Sequence, residues 1–211
     1  MKRLPVFVMN LEHREDRLLE IIKVLAPIHE FDIHPFIVRG DKHDKFFDHF
    51  RQFQRMCRFA DYQDLPYFIY CEDDTIFTPG FNLEQLVEDI KFCQQQKYDL
   101  LYTGLTAVEE PRRIADSIIE VRNCLAIQFT VVFEQLYEKV LDWDFDYIKS
   151  WCRPELDYIL SLNHTKKACT LPFMTMQNPK LSSDYRECSQ EEVAYGFKHT
   201  EELIFEELHL N

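Results

Sequence analysis

Three consecutive carboxylates, Glu72, Asp73 and Asp74, directly follow the apolar and aromatic run at residues 67–71. An unbroken run of this length is typical of a buried strand, so the acids are expected where that strand reaches the surface. Carboxylates this close repel one another, and a cation, an outward splay or protonation must relieve the repulsion. Mg²⁺ and Mn²⁺ prefer such oxygen ligands and complete their shells with water and phosphate oxygens. The cluster predicts a metal site that anchors a diphosphate, with Asp74 and Glu72 as ligands; a solvent-facing acidic turn is the alternative.

Other phosphate chemistries do not fit the sequence. A haloacid-dehalogenase-type phosphatase needs Asp-x-Asp after its first strand, and the frame that starts at Glu72 lacks the nucleophilic aspartate. The chain contains only 4 glycines and has neither Gly-x-x-x-x-Gly-Lys nor Gly-x-Gly-x-x-Gly. P-loop and classical dinucleotide-binding folds are therefore excluded.

The elements that must position the acids alternate between strand and helix. Strand candidates are residues 4–9, 33–38, 67–71 and 99–103, with helix candidates at about 15–25, 46–60 and 83–95. This alternation predicts an α/β fold with a mostly parallel central sheet flanked by helices, whose ligands bind outside the carboxyl ends of the strands. Further along, residues 117–121 and 125–132 suggest a strand pair, 134–141 a short helix, 154 onward another helix, and 191–210 a closing helix.

Composition restricts the function classes further. The length of 211 residues predicts one domain, and the net charge of −13 without a run of four basic residues argues against nucleic-acid binding. Seven dispersed cysteines without a Cys-x-x-Cys pair predict reduced thiols and a cytoplasmic protein. No segment is long and apolar enough for a transmembrane helix, while peripheral membrane contact stays open.

Several short segments resemble glycosyltransferase family 25, the family of bacterial lipooligosaccharide glycosyltransferases and the related procollagen galactosyltransferases. The matches occur in the family's order over roughly residues 4 to 185: Asn10-Leu11-x-x-Arg14-x-x-Arg17, Asp48-His49, Ile69 to Asp74, Asp99 to Gly104, and Pro172 with Gln177 and Ser183-Asp184. The chain departs from the family's pattern at residues 40–44, which replace a glycine-bearing approach, and at Asp48, which replaces a serine.

The resemblance implies a single-domain GT-A (Rossmann-like) fold and inverting transfer of a sugar from a nucleotide-diphosphate donor, a UDP-sugar, with Mn²⁺ or Mg²⁺ as cofactor. The acceptor would be an oligosaccharide or glycolipid of surface polysaccharide or lipopolysaccharide biosynthesis. A nucleotide-sugar half would cover about residues 1–105, an acceptor half 106–190 and a helical tail 191–211. Asp157 is the candidate base, and the donor-binding candidates are Asn10, Arg14, Arg17, Glu72, Asp73, Ser183 and Asp184.

Two other functions stay open. The departures at residues 40–48 are also compatible with a degenerate member that binds nucleotide sugar or a partner without turnover. The acids are also compatible with a metal-dependent phosphoryl or nucleotidyl transferase.

His49 lies on an aromatic helix stripe and is interpreted first as a packing residue. Trp143 and Trp151 are also read first as packing residues, and sugar stacking is the alternative. Nothing in the sequence selects His164 or His199 as a third metal ligand.

Overall fold

The computed structural model describes residues 3–39, 44–162, 165–181 and 190–209. The candidates Ser183, Asp184 and His164, and the departures at residues 40–43, lie outside these ranges. The strands are β1 (Leu4–Leu11), β2 (Phe31–Val38), β3 (Tyr67–Glu72), β4 (Thr75–Phe77), β5 (Leu100–Tyr102), β6 (Ala107–Val108), β7 (Arg112–Ala115), β8 (Ile118–Val121), β9 (Cys124–Leu125), β10 (Phe129–Phe133), β11 (Lys167–Thr170) and β12 (Thr175–Gln177).

The helices follow the predicted positions closely. They are α1 (Glu15–Leu25), α2 (Lys45–Tyr62), α3 (Leu83–Gln95), α4 (Tyr137–Leu141), α5 (Phe145–Lys149), α6 (Leu156–Leu162) and α7 (Gln190–Glu207). A 3-10 turn, Glu134–Leu136, precedes α4, and α5 is an addition to the predicted set. Within the described ranges, every helix lacks the length or the apolar content that a bilayer crossing needs.

One eight-stranded sheet forms the centre of the fold, in the order β2-β1-β3-β10-β5-β11-β8-β7. The predicted α/β fold with a helix-flanked central sheet is confirmed. The sheet is mixed rather than mostly parallel, because three neighbour pairs are parallel and four are antiparallel. The expected strand pair at 117–121 and 125–132 is wrong, since β8 pairs with β7 and β11 while β10 pairs with β3 and β5. All five residues of β10 are buried, which suits a strand covered on both faces.

Two hydrophobic clusters cover the two faces of the sheet. Alternate residues of β1 divide between them: Phe7 packs with α2 residues such as Phe53, and Val6 packs with α1 residues such as Ile21. Helix α3 joins the second cluster through Leu86 and its neighbours. The sheet is therefore packed between helices on both faces. Polar side chains lie at the ends of its strands.

Gly104, just after β5, permits the chain to approach the backbone of Thr175 closely. A Cβ atom at this position would lie 2.2 Å from the backbone oxygen of Thr175. Two hydrogen bonds hold the same contact: Met174 N donates to Thr103 O at 2.7 Å, and the Thr103 and Thr175 hydroxyls lie 2.6 Å apart. This contact brings β12 back beside β4, with Gln177 opposite Thr75.

Candidate functional site

A cleft opens where β1 and β3 end and β10 begins. Because β10 runs antiparallel to β3, its first residues meet the carboxyl ends of the parallel strands at the same edge. The cleft holds about 1080 Å³ of empty space, its open mouth included. Its lining comes from several parts of the chain and includes Asn10, Leu11, Arg17, Phe46, His49, Glu72, Asp73, Asp74, Gln128, Glu155, Asp157 and Gln177. A cavity therefore lies at the carboxyl ends of the strands, where the sequence predicts that ligands bind.

The turn that carries the three acids is clamped by backbone contacts. The Glu72 amide donates to the carbonyl oxygen of Gln128 at 2.8 Å, and the Thr75 hydroxyl donates to the same oxygen at 2.7 Å. On the other side, the Asn178 amide donates to the carbonyl oxygen of Asp74 at 2.6 Å. The strand end is therefore fixed by β10 and by the segment after β12, and the three side chains diverge from a rigid support.

Asp73 is held within the protein. Its carboxylate accepts from Asn10 Nδ2 at 2.8 Å and from Arg17 Nη1 at 3.2 Å, and it is 9% exposed. Burial raises the pKa of Asp73, while the Arg17 charge and the Asn10 hydrogen bond act in the opposite direction. Three predicted residues, Asn10, Arg17 and Asp73, therefore meet in one cluster that joins β1, α1 and β3.

Arg14 borders that cluster, and its charge also acts to lower the pKa of Asp73. Its guanidinium pairs with the exposed Asp16, at 3.2 Å between Nε and Oδ1, and the hydrogen bond and charge of Arg14 lower the pKa of Asp16. Its backbone oxygen accepts from Asn10 Nδ2 at 2.9 Å. Within the described chain, Arg14 is not among the residues that line the cleft.

Glu72 lies at the end of a hydrogen-bonded chain of side chains. His49 Nε2 lies 2.7 Å from the Tyr70 hydroxyl, which in turn lies 3.4 Å from Glu72 Oε1. Burial lowers the pKa of His49 to about 4, so the ring is neutral near pH 7. A neutral ring that donates from Nε2 leaves the Tyr70 hydroxyl free to donate to Glu72. Tyr70 was absent from the sequence-based candidates, although period-two alternation places it on the same strand face as Glu72.

Asp74 is the most buried acid of the three and also faces the cleft. It is 8% exposed, with Gln177 Nε2 at 3.5 Å from Oδ2. Glu72 and Asp74 both line the cleft, and carboxylate oxygens are the type of ligand that a hard cation prefers. In the described part of the chain, no group of three or more His, Cys, Asp and Glu side chains is arranged to hold a metal ion.

Asp157 reaches the cleft from the first turn of α6. It is 7% exposed, and its Oδ1 accepts from the Tyr158 amide at 3.0 Å. Glu155, just before this helix, also lines the cleft and pairs with Arg153 at 2.5 Å. Sequence reasoning named Asp157 only by resemblance and did not name Glu155, because nothing in a short polar helix start distinguishes a cleft-facing acid from a solvated one.

The remaining candidates lie elsewhere. His199 is exposed on α7 and stacks on Tyr195 at 5.3 Å. Trp143 packs against the core, and Trp151 is 48% exposed beside Tyr147. Among the described residues, none of these lines the cleft.

No protein-family profile and no curated protein sequence matches the chain. Solved structures similar to it include a glycosyltransferase involved in the glycosylation of the major capsid of PBCV-1, with a TM-score of 0.43 and 9% identity over 65% of this chain and 63% of that one. A UDP-glucose pyrophosphorylase complexed with UDP-glucose gives 0.47 and 7% identity over 97% and 81%. The mannose-1-phosphate geranyltransferase from Thermus thermophilus gives 0.45 and 7% over 81% and 74%. These values assign neither a family nor an activity to this chain.

Proposed function

We propose that this chain is a metal-dependent, inverting glycosyltransferase. It would transfer a sugar from a nucleotide-diphosphate donor, a UDP-hexose in the first instance, to an oligosaccharide or glycolipid acceptor of surface polysaccharide biosynthesis in the cytoplasm. One observation carries the proposal: a single cleft at the carboxyl edge of the sheet collects the acids Glu72, Asp74 and Asp157 from distant parts of the chain. Acids that lie on different secondary-structure elements, here the end of β3 and helix α6, can take different roles in one reaction.

The leaving group sets the first requirement. A sugar nucleotide loses a diphosphate, so negative charge develops on the departing β-phosphate oxygen. A divalent cation held by Asp74 and Glu72 would supply Lewis-acid stabilisation of that charge when bound. The clamped turn keeps both carboxylates in place, and the neighbouring Asp73 fixes the turn through Asn10 and Arg17. Rigid placement of charged groups is the main source of such stabilisation.

The acceptor sets the second requirement. Its hydroxyl oxygen must lose a proton as it forms the bond to the anomeric carbon while the diphosphate leaves, and a carboxylate within reach can take that proton. We assign this base role to Asp157, which is buried, lines the cleft and belongs to a helix rather than to the sheet edge. The separate support keeps the base apart from the acids that would face the diphosphate.

The test combines binding with turnover. Nucleotides and nucleotide sugars, with and without Mn²⁺, are screened by thermal shift, and release of UDP is then measured. A ligand that binds the native state raises its apparent stability by mass action. We expect Mn²⁺-dependent stabilisation by a UDP-sugar, and a loss of UDP release of about 100-fold or more in Asp74→Asn. The matched control Asp116→Asn, a fully exposed turn residue, retains both properties. The absence of a shift with every nucleotide would contradict the proposal.

A second function, binding of nucleotide sugar without turnover, has one observation in its favour. The Asp73 carboxylate is already occupied by Asn10 and Arg17, so the acidic turn offers a cation only its two other members. This function predicts thermal stabilisation by UDP-sugars without UDP release under any acceptor condition. Release of pyrophosphate instead of UDP would identify a nucleotidyl transferase.

A further inference from the structure

The outward face of α2 carries a straight basic stripe. Arg51, Arg55, Arg58 and Tyr62 recur at i, i+4, i+7 and i+11, a spacing that places them on one side of a helix. All four are exposed, and Tyr62 has 82% of its surface accessible. Eleven residues of helix span about 16 Å. The stripe is therefore a continuous positive strip with an aromatic end.

These three arginines are unusual in so acidic a chain, which has 37 Asp and Glu against 24 Lys and Arg. Seven other arginines each lie within 4.0 Å of a carboxylate: Arg14, Arg17, Arg39, Arg112, Arg113, Arg122 and Arg153. Within the described residues, no such ion pair involves Arg51, Arg55 or Arg58. Arg51 instead lies over the Phe47 ring at 5.4 Å, and Arg55 donates to Gln52 at 2.9 Å. Among the described residues, the three arginines of the stripe therefore lack a carboxylate within 4.0 Å.

A groove of about 620 Å³, its open mouth included, lies between this stripe and an acidic wall. The opposite wall is the segment Trp143 to Asp146, which enters α5 and presents the exposed carboxylates Asp144 and Asp146. The groove has an aromatic base, where Phe145 packs on Phe47 at 5.2 Å between ring centroids. We call this surface the α2/α5 groove. It carries arginines and carboxylates, and among the described residues no ion pair within 4.0 Å joins the two groups.

We propose that the α2/α5 groove is the interface of a homodimer. A two-fold axis through an isologous interface places residue i against j and j against i. The arginine wall of each copy would then face Asp144 and Asp146 of the other, and both contacts would be attractive. Arginine and aromatic residues are enriched at interface hot spots, whereas lysine is depleted at interfaces and is absent from the described lining.

A second copy fits better than an extended anionic partner. A nucleic acid or an anionic membrane would meet the two carboxylates of the same groove, and the net charge of −13 would repel it beyond the groove. A second copy uses both walls. The dimer does not depend on the glycosyltransferase reaction, so the two proposals fail separately.

Charge exchange between two variants tests the proposal. Molar mass is measured by sedimentation and light scattering over a range of concentrations of the full chain. We expect a dimer in which Arg55→Glu with Arg58→Glu weakens self-association at least tenfold. The second variant combines Asp146→Arg with Asp144→Ser, because serine preserves the cap that Asp144 gives to the Tyr147 amide. It should also be monomeric, since its walls are both positive.

The mixture of the two variants gives the decisive result. One has two negative walls and the other two positive walls, so the mixture should form a 1:1 heterodimer that high salt weakens.

Lys23→Glu with Lys91→Glu makes the same charge change on α1 and α3 and should leave the dimer intact. Circular dichroism verifies folding of each variant. A monomeric parent, a mixture without heterodimer, or binding of the stripe to anionic vesicles or nucleic acid instead of a second copy would overturn the proposal.

Discussion

Buried aspartates occur at both ends of the sheet, and their surroundings differ. Asp99 precedes β5, is 3% exposed, and accepts from Lys139 Nζ and from the Lys166 amide, each at 2.7 Å. Asp73 follows β3 at the opposite edge, because β3 and β5 both run antiparallel to β10. Asp73 is equally well paired, but its neighbours Glu72 and Asp74 open onto a cleft. Burial and ion pairing of an acid are therefore structural features, and the meeting of several strand ends at a cavity marks the candidate site.

The largest effect on stability is expected at the Arg17–Asp73 pair. Arg17→Met would leave a buried carboxylate without its cation, a change that costs about 3–5 kcal/mol in unfolding free energy. The Arg17 side chain is 6% exposed and that of Asp73 10%, so solvent screens the pair little. Asp73→Asn should cost about as much, because it leaves the buried Arg17 guanidinium, which keeps its proton, without that carboxylate. Urea denaturation of both variants measures the two costs.

The double variant completes this prediction. If Arg17 mainly compensates the Asp73 charge, Arg17→Met should cost little in the presence of Asp73→Asn, and the two changes should be strongly non-additive. Additive costs would contradict the pairing. Both single variants should also weaken nucleotide binding, because the pair supports the turn that carries Glu72 and Asp74. That coupling separates this edge of the sheet from the edge at Asp99.

A smaller loss of stability is expected at Asp99, and there nucleotide binding should not change. Asp99→Asn removes a charge-assisted hydrogen bond to Lys139, whose side chain is 49% exposed, so the loss should be about 1–2 kcal/mol. Nucleotide binding should stay unchanged, because Asp99 does not line the cleft in the described chain. Thermal shift with and without nucleotide measures both quantities. A loss of nucleotide binding in this variant would remove the distinction between the two edges.

The same contrast explains what the sequence could predict. The run at 67–71 and its three acids identified β3, its end and the edge of the sheet at which the cleft lies, because periodicity and chain order encode them directly. The insertion of β10 between β3 and β5 escaped, since a short apolar run does not specify its partners. The hydrogen bonds from Glu72 and Thr75 to the Gln128 carbonyl depend on that insertion, so the sequence could not predict them either. Tyr70 was read as core because it is core, and only the three-dimensional structure places its hydroxyl between His49 and Glu72.

The smallest predicted effect concerns that hydroxyl. Tyr70→Phe keeps the ring that packs on Phe53 and removes the donor to Glu72. One hydrogen bond contributes about 1 kcal/mol, which corresponds to about a fivefold weaker affinity for the nucleotide sugar. Because the role is positioning of Glu72, we expect KM to rise more than kcat falls. Tyr67→Phe, on the same strand but facing the other cluster, is the matched control and should change neither. Equal effects of the two substitutions would contradict a role of the Tyr70 hydroxyl in positioning Glu72.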